Sequence, residues 1–227
     1  MDEIIRQIRT DLRLSMNGVV STSMREKGMN YRMNFGVTIP KLRQIAQKYR
    51  VDKTLAEALW QEDVRELKIL ATMLYPTVDF SKEAVKKWVY EIPNQEIREQ
   101  VCRNLFQELT FVDELAQVWA ESDEVEIRLT GYCLFVRLCI VHAGVAEKVQ
   151  SEKIIENAVN DLKAKSMLLL QSALNVLKYF GRLSKEKGEN ILRKISDYEK
   201  SDYSQEREIF DVLRFEYDFW HTGDTNL

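Results

Sequence analysis

S-K-E-A-V-K-K-W-V-Y-E-I-P-N-Q-E-I-R-E-Q-V-C-R-N-L-F, residues 81–106, reads as two helices joined by a turn. Ser81 is a fitting N-cap for a helix over Lys82–Tyr90. Pro93 restricts what precedes it, Asn94 can cap the next helix, and Glu96 adds negative charge to that helix's first turn. Within the second helix Ile97, Val101 and Leu105 fall four apart and form one apolar line. Gln95, Glu99, Cys102 and Phe106 form a second line beside it. Two adjacent lines make a broad buried face, with Glu99 at its border and Arg98 next to it. A carboxylate in that place suits a cleft-lining helix and an ordinary helix rim alike.

The same two-helix unit repeats on both sides. Towards the N-terminus, residues 55–61 pair with 64–75, ending before Pro76. Towards the C-terminus, 112–121 pairs with 125–142, and 152–160 with 163–180 up to Gly181. Ser184 caps 185–196, and 205–221 closes the array. Trp60, Trp88 and Trp119 each fall late in the first helix of a pair, where they pack between repeats. Helix pairs at a period of about 30–40 residues bury their apolar faces only against neighbours, the mark of an α-solenoid. The expected fold is therefore all-α, a solenoid of HEAT-like helix-pair repeats curved around a concave face. Ahead of the pairs, Ile4, Ile5, Ile8, Leu12 and Leu14 outline an amphipathic helix. A polar segment, 17–34, follows as a helix fragment plus loop. Residues 35–49 then supply another helix, with Thr38 as cap and Pro40 in its first turn. The expectation is one domain over 1–227, comprising an N-terminal helix and connector (1–34), the repeats (35–221) and a tail (222–227).

Composition agrees. Of 227 residues only 3 are proline and 8 glycine, while 45% are hydrophobic and 30% charged, as short-looped helices require. Apolar runs are broken by polar residues before they reach membrane-spanning length, and M-D-E-I-I-R-Q-I-R lacks the apolar core of a signal peptide. Cys102, Cys133 and Cys139 are odd in number and sit in helical patterns, and His142 and His221 are far apart. Neither a disulfide framework nor a metal site is expected, no cofactor is implied, and a reducing, cytoplasmic setting is the natural reading. A net charge of −3 and a pI near 5.7 neither require nor exclude nucleic acid. Any such partner needs positive charge gathered on one face. The second helices of the pairs would line the concave side and bring Arg98, Arg128 and Lys178 there, among acidic neighbours such as Glu96 and Glu99.

F-G-V-T-I-P-K-L-R-Q-I-A-Q-K-Y, then L-A-E-A-L-W-Q-E-D-V-R-E-L-K-I-L-A, then E-Q-V-C-R-N-L-F resemble the bacterial DNA alkylation repair family of HEAT-like repeat proteins. The likeness runs in matching order from about residue 30 to about 215. That family includes glycosylases that excise N3- and N7-alkylated purines. In its active members an aspartate stabilises positive charge developing on the deoxyribose, and two tryptophans stack around the lesion without a base-flipping pocket. An alkylated base is a cationic leaving group with a weakened bond, so an anion and π-faces near the sugar suffice.

The family motif W-D-x-x-D-Q-x-C corresponds here to Q-E-I-R-E-Q-V-C. By that resemblance Gln95 stands at the first tryptophan position and Glu99 at the catalytic aspartate. Arg128, in V-E-I-R-L-T-G-Y, aligns with a cleft-supporting arginine, and Val176 with the second tryptophan. One carboxylate and one arginine are kept, and both aromatic walls are replaced. Glu99 is one methylene longer than aspartate, and an error near a bond length in placing its charge costs on the order of a hundredfold in rate. Arg128 lies among apolar neighbours, so its charge needs a partner, and Glu99 of the adjacent repeat is the expected one. For Arg98 two roles are open, a phosphate contact or a local pairing with Glu99 or Asn94. Three functions fit: a noncatalytic relative binding alkylated or structured duplex DNA through Arg98, Arg128 and Lys178; an altered glycosylase using Glu99; and a protein-binding HEAT scaffold. No membrane partner is expected.

Overall fold

The computed structural model describes residues 1–27, 29 and 31–222. Among them the chain is helical with no strand, and one isolated bridge joins Met33 and Val64. The chain divides into two compact units, Met1–Thr110 and Phe111–Leu227. The first holds α1 (Asp2–Leu14), α2 (Gly18–Glu26), α3 (Ile39–Ala46), α4 (Lys53–Gln61), α5 (Arg65–Leu74), α6 (Lys82–Tyr90) and α7 (Gln95–Asn104). The second holds α8 (Val112–Ala120), α9 (Val125–Val141), the short α10 (Ala143–Ala146), α11 (Ser151–Asp161), α12 (Met167–Gly181), α13 (Lys185–Lys194) and α14 (Ser204–His221). The helix pairs expected from the sequence are all present. Of the expected tail, only Thr222 is within the described residues.

Side-chain caps set the boundaries. Asn17, Asp52, Ser81, Asn94, Ser166 and Ser184 each accept a hydrogen bond from a backbone N–H in the first turn of the helix that follows. Each such cap contributes about 1 kcal/mol. Capping also explains where expectation and structure part. The second helix of the fourth pair begins at Met167 and not at 163, because Ser166 is extended and bonds Leu169 N, which leaves Lys163 and Lys165 in the preceding turn. Likewise α7 ends at Asn104, since Leu105 leaves helical geometry at φ −130, ψ −61. Leu105 and Phe106 stay fully buried even so.

In the first unit α5 is covered almost all round, and the tryptophans of neighbouring pairs meet beside it. Trp60 and Trp88 stack with ring centroids 4.0 Å apart and planes 5° from parallel, and Phe80 meets Trp88 edge-on at 5.0 Å. Such aromatic pairs add about 0.5–1.5 kcal/mol each beyond the area they bury. With Trp60, Trp88 and Trp119 all buried, these rings are packing elements of the repeats. In the second unit α9 has buried residues on every side, from Ile127 to Cys139. No helix among the described residues is long and apolar enough to cross a membrane.

Candidate functional site

The first turn of α7 is fixed by Asn94, whose Oδ1 accepts from Ile97 N at 3.0 Å. From that start the half-buried Gln95 and the exposed Glu99 lie on one flank, and Gln95 Nε2 donates to Glu99 Oε1 at 3.0 Å. Glu99 is exposed, on the solvent side of the border where the sequence places it. Arg98 points inward, with 2% of its surface accessible, and its Nη1 donates to Gln95 Oε1 at 2.7 Å. This local bond is to Gln95, a residue the sequence reading did not offer as a partner for Arg98. One amide side chain thus bridges an inward guanidinium and an outward carboxylate.

Beneath this flank lies a buried network that the sequence reading does not contain. Arg65, 2% exposed, donates through Nε and Nη2 to the Glu96 carboxylate, at 2.6 Å for the shortest contact. Its Nη1 reaches Glu66 Oε1 at 2.9 Å and Val37 O at 2.8 Å. Tyr31 Oη adds a 2.6 Å bond to Glu96. Burial on its own would raise the Glu96 carboxyl, but the bonds from Arg65 and Tyr31 outweigh it and hold Glu96 below the ordinary glutamate range. The phenol of Tyr31 is pushed up, first by burial and then by that same carboxylate.

In the second unit, sequence reasoning points Arg128 at Glu99; within its own unit the guanidinium is taken by Asp161. Arg128 Nε lies 3.0 Å from Asp161 Oδ2, and Nη1 donates to Ser122 O at 3.0 Å. Tyr132 Oη bonds the same Asp161 oxygen at 2.8 Å. Lys178 is tied to Glu216 at 2.9 Å, and Arg182 Nε donates to Glu216 at 2.9 Å. Val176 has no exposed surface and belongs to the core between helices of this unit. Among the described residues there is no group of three or more His, Cys, Asp or Glu able to hold a metal ion.

Chemically, this arrangement is one exposed acid and several cations whose charge is used inside the fold. Arg65, Arg128 and Lys178 each face a carboxylate, which reduces their attraction for phosphate. The partners missed from the sequence, Glu96, Asp161 and Glu216, lie 31, 33 and 34 residues from Arg65, Arg128 and Arg182. That spacing is one repeat, and searching for opposite charges one repeat apart would find all three.

Glu216 carries a pH prediction. Burial would raise its carboxyl, but the bonds from Lys178 and Arg182 hold it below the ordinary glutamate value of 4.5. A depressed folded-state value means the stabilisation is present above the unfolded value and disappears as pH falls through the folded one. Wild type and Glu216→Gln are thus expected to differ most in melting temperature at pH 7 and to converge only as pH falls through the depressed folded-state value, below 4.5. A constant gap across that range, measured by circular dichroism, would remove Glu216 as the titrating group.

The sequence model of the family described as "DNA alkylation repair enzyme" matches residues 8–185. No curated protein matches the chain. A solved structure described as "A new family of proteins related to the HEAT-like repeat DNA glycosylases with affinity for branched DNA structures" is similar at a TM-score of 0.73 and 15% identity. The match covers 92% of this chain and 94% of that one. At this identity the likeness establishes the fold, an all-α array of HEAT-like repeats.

Proposed function

Because the chain belongs to the DNA alkylation repair enzyme family, we propose that it binds DNA, branched DNA in particular, and does not excise bases by the aspartate-and-two-tryptophan design. The observation that carries this reading is the state of the aligned positions. Val176 is wholly buried, so the residue there offers no wall to a ligand. Gln95 offers an amide, already engaged by Arg98 and Glu99, where a stacking ring is needed. Stacking on an aromatic face contributes about 1–3 kcal/mol per base, and its loss leaves an alkylated nucleotide with little to hold it beside Glu99. The DNA affinity of the structurally similar protein supports branched structures as the ligand class.

A second reading has one observation in its favour. Glu99 is solvent-accessible and could face a sugar, which is what an altered glycosylase would need. The experiment separates them. The protein is titrated against a four-way junction and a matched linear duplex at several salt concentrations, and 7-methylguanine and 3-methyladenine release from alkylated duplex is measured in parallel. The proposal expects tighter, salt-sensitive junction binding and no base release. Release that Glu99→Gln abolishes would transfer the assignment to the glycosylase reading. Failure to bind either DNA at low salt would leave a protein-binding scaffold.

A further inference from the structure

Charge is distributed along this chain very unevenly. Residues 1–53 contain eleven Lys and Arg against five Asp and Glu, a balance of +6. With the whole chain at −3, residues 54–227 carry −9. The acidic pI is therefore the average of a basic N-terminal quarter and an acidic remainder.

The structure places that positive charge outside. Ten of the eleven cations of residues 1–53 are exposed, among them Arg6, Arg13, Arg25, Arg32, Arg43 and Arg50. Against those ten cations only four acids of the same residues are exposed, Asp2, Glu3, Glu26 and Asp52. Asp11 is buried and bonded to Lys48 at 3.0 Å and Tyr49 at 2.9 Å, and Asp52 is occupied in capping Leu55 N at 2.7 Å. Arg6 and Arg13 are seven residues apart on α1, so they project from the same side about 10 Å from each other.

These residues also belong to one anchored piece of the first unit. The Asp11 bonds tie α1 to the turn that follows α3. Asn17 N donates to Phe35 O at 2.9 Å and Ser21 Oγ to Asn34 O at 3.2 Å, which fastens α2 to the extended segment. That segment is held in turn by Glu66, which accepts from Phe35 N at 3.0 Å and Val37 N at 3.2 Å. The cations are thus presented on a fixed scaffold, a condition for tracking a backbone that carries one charge per about 1.7 Å of duplex axis.

We infer that the exposed basic surface of the described residues among 1–53, from α1 through α3 to the start of α4, is the phosphate-contacting surface for duplex arms of DNA. This rests on the DNA-binding reading above and moves the phosphate-binding role to the N-terminal quarter. Arg128 and Lys178 instead hold their own unit together through Asp161 and Glu216.

The test uses the full-length protein, a fluorescent four-way junction and anisotropy from low to high salt. Three double variants are compared: Arg6→Glu with Arg13→Glu, Arg43→Glu with Arg50→Glu, and Lys185→Glu with Lys194→Glu on α13 as an equal change of net charge elsewhere. All alter exposed side chains, and unchanged melting curves verify that they fold. The first two are expected to weaken binding by about tenfold or more and to flatten the salt slope by about one for each phosphate no longer neutralised. The α13 variant is expected to stay within about twofold of wild type. Wild-type-like binding by both N-terminal variants, or an equal loss in the α13 variant, overturns the assignment while DNA binding itself stands. A wild type that ignores DNA, whether or not it binds phosphatidylserine vesicles, overturns both.

Discussion

Replacing Arg65 with methionine is expected to lower the stability of the protein by about 3–5 kcal/mol, the cost of removing one partner from a buried charge network. Arg65 is 2% exposed and Glu66 has no exposed surface, so water cannot replace the missing guanidinium beside Glu66. Glu66 would keep the backbone donors of Phe35 and Val37 but lose its only cationic partner among the described residues. Glu96, also held by Tyr31, would lose its ion pair too. The extended segment, α5 and α7 all converge on this one side chain, so the damage spreads beyond a single helix. Lysine is expected to rescue little, because one ammonium cannot reproduce the planar fork reaching Glu66, Glu96 and Val37 O together. Adding Glu96→Gln to Arg65→Met removes one stranded carboxylate and is expected to recover part of the loss. Urea midpoints for wild type and these variants decide the matter. A loss under about 1 kcal/mol for Arg65→Met would mean the carboxylates find water or take up protons at little cost.

The way this network escaped sequence reading is instructive. Helix periodicity, caps and the tryptophan spacing depend on residues near each other in the chain, and they located every pair to within a few positions. The same local logic puts Glu99 at the edge of a buried face, and it is exposed just beyond it. Arg65–Glu96 and Arg128–Asp161 depend instead on which face of one repeat meets the next. Nothing in the local pattern V-R-E-L reveals that Arg65 points inward, since arginine is ordinarily a surface residue. What reveals it is register: Trp60–Glu91, Arg65–Glu96, Thr72–Asn104 and Arg128–Asp161 are bonded at separations of 31, 31, 32 and 33 residues. In a repeat array each helix face touches the equivalent face one unit on, so polar partners recur at the repeat length. Val176 escaped for a related reason. The resemblance assigned its position, but only packing could say that this position belongs to the core.

Gly131→Ala is the second large effect, and here two contributions oppose each other. Alanine favours the middle of a helix over glycine by about 1 kcal/mol, so the change would stabilise α9 if the site were open. It is closed by backbone. A Cβ on Gly131 would stand 2.1 Å from Ala120 N, 2.4 Å from Trp119 C and 2.6 Å from Ala120 Cα. No side-chain rotation can relieve a clash with main-chain atoms, so α8 and α9 must separate. Their separation would loosen Ala116, Trp119 and Ala120, which are buried at that crossing. Overpacking of this kind costs about 1–3 kcal/mol when side chains can shift and more when they cannot, so the clash outweighs the propensity gain. The net expectation is a loss of about 2 kcal/mol or more. Gly144→Ala on α10 is the control, because a Cβ there meets nothing within 4 Å. That variant is expected to be neutral or slightly stabilising, which separates the clash at Gly131 from any general penalty for losing a glycine. If both glycine variants melt together with wild type, the α8–α9 packing is soft enough to open by roughly the 1 Å that an ordinary Cβ approach requires, and the close approach would have to be explained by something other than the need for a bare Cα.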